Sequence, residues 1–192
     1  MGIRVNMEIK KTSLYQLHCD SKAKFVEFAG YQMPIQYTDG IVEEHKFTRS
    51  HSGIFDVSHM GQLFIYGDDN LIEDLEKIFP LNLKNLKLNH SKYSFLMNDE
   101  AGIYDDLIVT KIDTGFLIIL NAACKENDFK ILSKLLNNKY KMVLDEKRSL
   151  IAIQGPKSVE ILNDLIKGVE DLNFMTGDWF LFNEKNVYIT RS

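Results

Sequence analysis

The 192-residue sequence is short of long apolar runs, of paired cysteines and of charge of one sign. No uninterrupted apolar stretch approaches the roughly 20 residues a bilayer-crossing helix needs, and Met1 to Lys11 lacks the apolar segment of a signal peptide. A chain that neither enters a membrane nor is secreted is therefore expected. Its 23 basic and 27 acidic residues are interspersed, for a formal charge of -4. No single-sign field exists to hold a nucleic-acid backbone, which makes nucleic acid an unexpected partner. Cys19 and Cys124 lie far apart and outside any CxxC spacing, which argues against a zinc knuckle or a redox pair and for reduced thiols in a cytosol or mitochondrial matrix. His45, His51 and His59 lack HExxH spacing, so a metal site is not expected. There is no GxSxG elbow, no glycine-rich phosphate loop followed by lysine, no internal repeat and no low-complexity tract. Gly155-Pro156 is a helix start instead.

What is present is an ordinary hydrophobic fraction of 45%, enough for a real core, arranged in both periodicities. Thr12 or Ser13 caps a short helix carrying Leu14, Tyr15, Leu17 and His18, and Phe25 to Phe28 reads as extended chain ending at Gly30. Tyr31 to Tyr37 reads as a loop around Met33-Pro34. A helix opens at Thr38 or Asp39 with Gly53 as its stop. Gln62 to Tyr66 alternates like a strand, and Leu71, Ile72, Leu75, Ile78 and Phe79 recur at helical spacing. Three strands then form a meander: Tyr93 to Met97, Ile103 to Ile112 and Phe116 to Leu120, with turns rich in Asn, Asp and Gly. A helix over Lys125 to Asn137, strands at Met142 to Leu144 and Leu150 to Ile153, a helix after Pro156 and a hairpin of Trp179 to Phe182 with Val187 to Thr190 complete the chain. Strands mixed with helices without strict alternation predict an α+β fold of mostly antiparallel sheets with flanking helices. The last strand runs into Ser192 with no cap or tail, as if the chain were cut there.

The residue pair that stands out is Asp105-Asp106 inside the apolar strand Ile103 to Val109. Successive strand side chains face opposite ways, so one carboxylate faces the interior unless the strand lies at an edge. An inward anion is costly without a cation or hydrogen-bond donors. The residues alone leave two alternatives open, a functional acid or an edge strand with both carboxylates solvated. Asp56, Ser58 and His59 resemble triad letters, but a triad is a geometry, and His59 is read as structural or as a pocket wall. Met33, Met60 and Met97 are either core fillers or an adaptable apolar wall for a flat heterocycle.

Leu14-Tyr15-x-Leu17-His18, Phe28-Ala29-Gly30-Tyr31-Gln32-Met33-Pro34, Gly53 to Gly61, Asp105-Asp106-Leu107-Ile108-Val109 and Asn121-Ala122-Ala123 together resemble the aminomethyltransferases, the T-protein family of the glycine cleavage system. They occur in the family's order and spacing from about residue 11 to 192. The family more often has Trp and Glu where this chain has Tyr31 and Gln32. It continues past a strand like Val187 to Ser192 into a Gly-Tyr-Thr-Gly-Glu motif, arginine-bearing segments and a final β-barrel, none of which is in this sequence.

The resemblance implies a folate-binding T-protein-like fold without the C-terminal barrel. In it, 1–10 is a leader or tag-like segment, 11–55 with 146–192 a first subdomain and 56–145 a second α+β subdomain. It implies transfer of a methylene group from the aminomethyl-lipoyl arm of H-protein to tetrahydrofolate, with release of ammonia. By motif position Asp106 corresponds to the catalytic acid, which orients folate and favours the cationic character that develops during transfer. Tyr93, Asn121 and Met60 correspond to pocket positions around it. Opposite unit charges about 4 Å apart at an effective dielectric of about 20 interact by about 4 kcal/mol, nearly a thousandfold in rate. A non-catalytic folate-binding or H-protein-docking module, like the iron-sulfur assembly relatives, is the alternative, weakened by the absence of a KGCYxGQE motif. A related folate-dependent demethylase is another.

Overall fold

A computed structural model describes residues 9–192. In chain order the helices are α1 Tyr15–Asp20, α2 Ile41–Ser50, α3 Asp69–Glu76, α4 Lys125–Leu135 and α5 Ser158–Leu165. The strands are β1 Lys24–Phe28, β2 Tyr31–Gln36, β3 Gly53–Asp56, β4 Gly61–Tyr66, β5 Ser91–Met97, β6 Ile103–Ile112, β7 Gly115–Leu120, β8 Lys141–Leu144, β9 Ile151–Gln154, β10 Thr176–Phe182 and β11 Lys185–Arg191. Every strand pair is antiparallel. The α+β expectation is therefore met.

The chain divides into two compact units. The first takes the chain up to His59 and adds Lys147–Pro156; the second holds Met60–Glu146 and Lys157–Ser192. This differs from the sequence division, which grouped 146–192 with the first part. The reason lies in strand pairing. β9 pairs with β3, which keeps residues 147–156 in the first unit. The β10–β11 hairpin is tied to the second through a His90–Thr176 bridge and backbone bonds from Ser91 to Met175 and from Gly177 to Asn89. Most of the expected leader, 1–10, lies outside the described residues. Lys10 does not behave as leader: its N–H donates to the Gly30 carbonyl and its carbonyl accepts from Gln32 N–H, so ordered pairing begins there.

In the first unit, Tyr31 to Gln36 is a strand rather than the loop expected from Met33-Pro34. Ala29 and Gly30 both take positive φ, 50° and 77°, which makes a two-residue hairpin turn and folds β2 back on β1. Pro34 is tolerated because this two-stranded sheet consists only of edges. Asp56 binds this unit together. It accepts from Thr12 Oγ1 at 2.6 Å, from the Ser58 backbone N–H at 2.9 Å, and lies 2.9 Å from His18 Nε2. Ser58 Oγ in turn donates to the Leu150 carbonyl and accepts its N–H. The triad letters of this segment are thus structural clamps, and His59 instead meets the rings of Phe28 and Tyr31 edge-on.

The second unit is built on a five-stranded sheet in the order β5-β6-β7-β4-β8. One face carries Leu63, Ile65, Leu96, Leu107, Val109, Phe116, Ile118 and Leu120, which pack with Leu71 and Leu75 of α3, Leu132 of α4 and the following Leu136, and Phe79. These side chains are almost wholly removed from water, each worth about 1.5–3 kcal/mol of burial. Two glycines make the close approaches. A Cβ on Gly61 would stand 2.8 Å from Lys125 Cβ, so its absence lets the start of α4 press against β4. At Gly115, φ is +140° and a Cβ would lie 2.1 Å from the Ile65 carbonyl oxygen, so only glycine lets β7 begin its pairing with β4 there.

Leu132→Ala should cost about 2–5 kcal/mol, because its site is sealed on every side. Gly115→Ala should lower stability further by prising β7 from β4. Urea titrations followed through Trp179, the only tryptophan, measure both.

Candidate functional site

β6 lies between β5 and β7, so it is not an edge strand, and its two aspartates are forced to opposite faces. Asp105 is the inward one. Only 7% exposed, it sits opposite Leu96 on the face that carries Leu107 and Val109. Asp106 is exposed on the other face, directly opposite Phe95, with Tyr93 opposite Ile108, Ile108 opposite Ile119, and Ile119 opposite Gln62. Directly opposed residues share a face, so Phe95, Tyr93, Asp106, Ile108, Ile119 and Gln62 lie on one side of the sheet. Continuing the same register past the ends of β7 and β4 puts Asn121 beside Asp106 and Met60 beside Asn121.

Of the four residues expected from sequence, Asp106 and Asn121 are in direct contact. The Asn121 Nδ2 group donates to Asp106 Oδ1 at 3.2 Å and to the Asp106 carbonyl at 3.1 Å. Tyr93 is on the same face and 60% exposed, but Phe95 rather than Tyr93 stands directly across from the acid. Met60 is half-buried at the row's other end.

Asn121 also reaches the buried acid. Its Nδ2 is 2.9 Å from Asp105 Oδ1 and its backbone N–H 3.3 Å from Asp105 Oδ2. Below the sheet, Asp128 of α4 is completely buried beside the Asp105 carboxyl. Two ionised carboxylates have no donor between them, and neither oxygen of Asp128 receives a hydrogen bond from any donor group. A proton is required. Burial, followed by the hydrogen bond and charge of Asp105, pushes Asp128 up to about 7. The Cys124 thiol, immediately before α4, is raised by burial and then by the nearby Asp105 and Asp128 charges, so it remains a thiol. Lys125, 3% exposed, has its ammonium 3.7 Å from Glu146.

Asp105 and Asp128 were not picked out as a pair from sequence. The signal for Asp128 exists in the spacing of Asp128, Leu132 and Leu136, one turn apart on the buried stripe of α4. An acid at a core-stripe position asks for a partner, and the helix pattern does not say which strand supplies it. Among the described residues no cluster of His, Cys, Asp and Glu has the arrangement of a metal site. Both cysteines are free thiols. Among the described residues no helix is long and apolar enough to cross a membrane.

The fold is thus a helix-backed antiparallel sheet with an exposed acid, held by Asn121, on the face opposite its helices. The family model described as GCVT N-terminal domain matches residues 14–192, and the chain belongs to that family. It is 38% identical over 179 residues to the mitochondrial aminomethyltransferase of Dictyostelium discoideum, covering 88% of this chain and 44% of that protein. It is 44% identical over 166 residues to the probable mitochondrial aminomethyltransferase of Schizosaccharomyces pombe, covering 84% and 43%. The crystal structure of glycine cleavage system aminomethyltransferase T from Bartonella henselae superimposes with a TM-score of 0.83 at 38% identity, covering 90% of this chain and 49% of that one. The chain thus spans about half the length of the curated relatives it matches.

The two units carry acids with opposite pH signatures. Burial alone would raise Asp56, but hydrogen bonds from Ser58, Thr12 and His18 outweigh it and hold the carboxyl below the usual range. Its stabilisation is present above the unfolded value near 4 and lost as pH falls through the lower folded value. Asp128 is the reverse. Between about 4 and about 7 the folded state holds a proton that the unfolded chain has released, so stability contributed there declines as pH rises. Urea midpoints followed by Trp179 fluorescence should fall from pH 5 to pH 7.5, and Asp128→Asn should flatten that slope.

Proposed function

We propose that this chain carries the acid-bearing part of a tetrahydrofolate-dependent aminomethyltransferase of the glycine cleavage system. The methylene group passes from the aminomethyl-lipoyl arm of H-protein to tetrahydrofolate, and ammonia and dihydrolipoyl H-protein are released. The observation that carries this reading is the Asn121–Asp106 clamp on the sheet face opposite the helices, in a chain whose relatives are named aminomethyltransferases. Asp106 is the catalytic acid. One of its oxygens is held by Asn121, while Oδ2 accepts no hydrogen bond from the described residues and is available to a ligand N–H or to developing positive charge.

The magnitude depends on what covers Asp106. In open water a pair of unit charges about 4 Å apart interacts by only about 1 kcal/mol, against about 4 kcal/mol at an effective dielectric of about 20. Bound folate over Tyr93, Phe95 and Met60 provides that cover, with Tyr93 and Met60 as ring-contacting walls and Asn121 as a polar edge. In a eukaryote the setting is the mitochondrial matrix, and in a bacterium the cytoplasm.

Asp106→Asn should reduce turnover by about a thousandfold, with the remaining family segment supplied and glycine cleavage followed by ammonia release. Its free energy of unfolding from urea titration should stay within about 0.5 kcal/mol of the parent's, because the side chain is exposed. Unchanged turnover removes the assignment. Titration of the chain with tetrahydrofolate and with lipoylated H-protein should show both binding; H-protein alone binding would mark a docking module.

A further inference from the structure

Asp105 and Asp128 lie buried on the helix-covered face of the sheet, opposite Asp106, where the proposed transfer makes no direct use of them. Three features set them apart from a chance encounter of acids. Asp128 is fully buried on the core stripe of α4, where a hydrophobic residue would pack without penalty. Asp105 accepts from the Asn121 N–H at 3.3 Å and the Asn121 Nδ2 at 2.9 Å, and both oxygens of the neighbouring Asp128 are buried without a donor. The same Asn121 Nδ2 reaches over the strand to Asp106 on the opposite face. Asn121 is therefore shared between a buried carboxyl and an exposed one.

We propose that Asp105 and Asp128 hold a single proton between them beneath the sheet. This hydrogen-bonded pair is a positioning device that fixes the Asn121 amide and, through it, the Asp106 carboxylate.

The geometry requires the shared proton. With both acids ionised, two buried anions repel with no donor between them, and α4 would have to draw away from β6 or Asp105 would turn. Either movement releases the Asn121 Nδ2 from Asp105. With one proton present, Asp128 donates, Asp105 accepts, and the Asn121 amide keeps both of its carboxylate partners. The titratable group beside the pair is Cys124 ahead of α4; Asp106 lies on the opposite face of β6, and the Lys125 ammonium stands 3.7 Å from Glu146. No cation among these compensates a second negative charge, so the proton does so. The inference rests on the catalytic reading of Asp106 only for its consequence in turnover; the shared proton and the Asn121 clamp stand without it.

The test is carboxyl and side-chain amide NMR of the 192-residue chain with labelled Asp and Asn. The Asp128 carboxyl should titrate close to pH 7, and the Asn121 side-chain amide signals should shift with the same midpoint. Asp128→Asn, which can still donate to Asp105 but carries no titrating proton, should keep the Asn121 signals in their low-pH positions throughout pH 5 to 8. Asp128→Ala should move them to positions unlike either wild-type state. Because the wild-type titration needs no variant, misfolding of Asp128→Ala leaves the question decidable. An Asp128 carboxyl that titrates near 4, or Asn121 signals that do not follow it, overturns the proposal.

With the remaining family segment supplied, Asp128→Asn should also remove any loss of turnover between pH 6 and 8 that the wild type shows with the Asn121 midpoint. If the NMR titration behaves as expected while Asp106→Asn retains full turnover, the catalytic reading fails and the buried pair survives. If Asp106→Asn abolishes turnover while Asn121 ignores Asp128, the reverse holds.

Discussion

A strand has two faces and no third, and at Asp105-Asp106 that constraint divides one pair of identical side chains into two different chemical groups. β6 is paired with β5 through both acids and with β7 from Ile108 onward, so its pleat turns the two acids to opposite faces. One carboxyl is buried on the α4 side and must find donors; the other is exposed on the opposite face. Asn121, at the end of the next strand, binds both. The rest of the second unit serves this arrangement. Gly61 lets α4 approach the sheet, Gly115 lets β7 pair with β4, and the leucine-rich face fixes the strand register that aligns Phe95, Asp106, Asn121 and Met60 in one row.

The first unit is organised around another buried acid with the opposite solution. Asp56 is satisfied as an anion by a hydroxyl, a backbone N–H and an imidazole. Asp128 has no comparable set of donors and retains a proton near neutrality instead. Burial acts on both acids; what separates them is the number of donors the surrounding chain delivers. The same residue type thus becomes a structural clamp at one place and a neutral hydrogen-bond donor at another.

Much of this was legible before any coordinates. The meander β5 to β7, the α3 and α4 stripes and the closing hairpin all follow from period-2 and period-3.6 patterns, because each of these segments buries one face. Tyr31 to Gln36 was not legible as a strand, because its proline argued for a loop and its pairing depends on positive φ at Ala29 and Gly30. The division of residues 157–192 was also hidden. Strands β9 and β10 read alike along the chain, and only their partners, β3 in one case and the Asn89 to Ser91 segment in the other, separate them.

By itself the sequence determined that two adjacent acids would occupy opposite faces of a strand, since side-chain alternation is a property of extended backbone. It also carried the motifs that place the chain in its family. Which acid faces inward was decided only by the tertiary structure, as were the direct opposition of Phe95 rather than Tyr93 to Asp106 and the meeting of Asp105 with Asp128. Those depend on strand order and on which sheet face α4 covers, and local patterning carries no record of contacts between residues more than 20 positions apart, as Asp105 and Asp128 are.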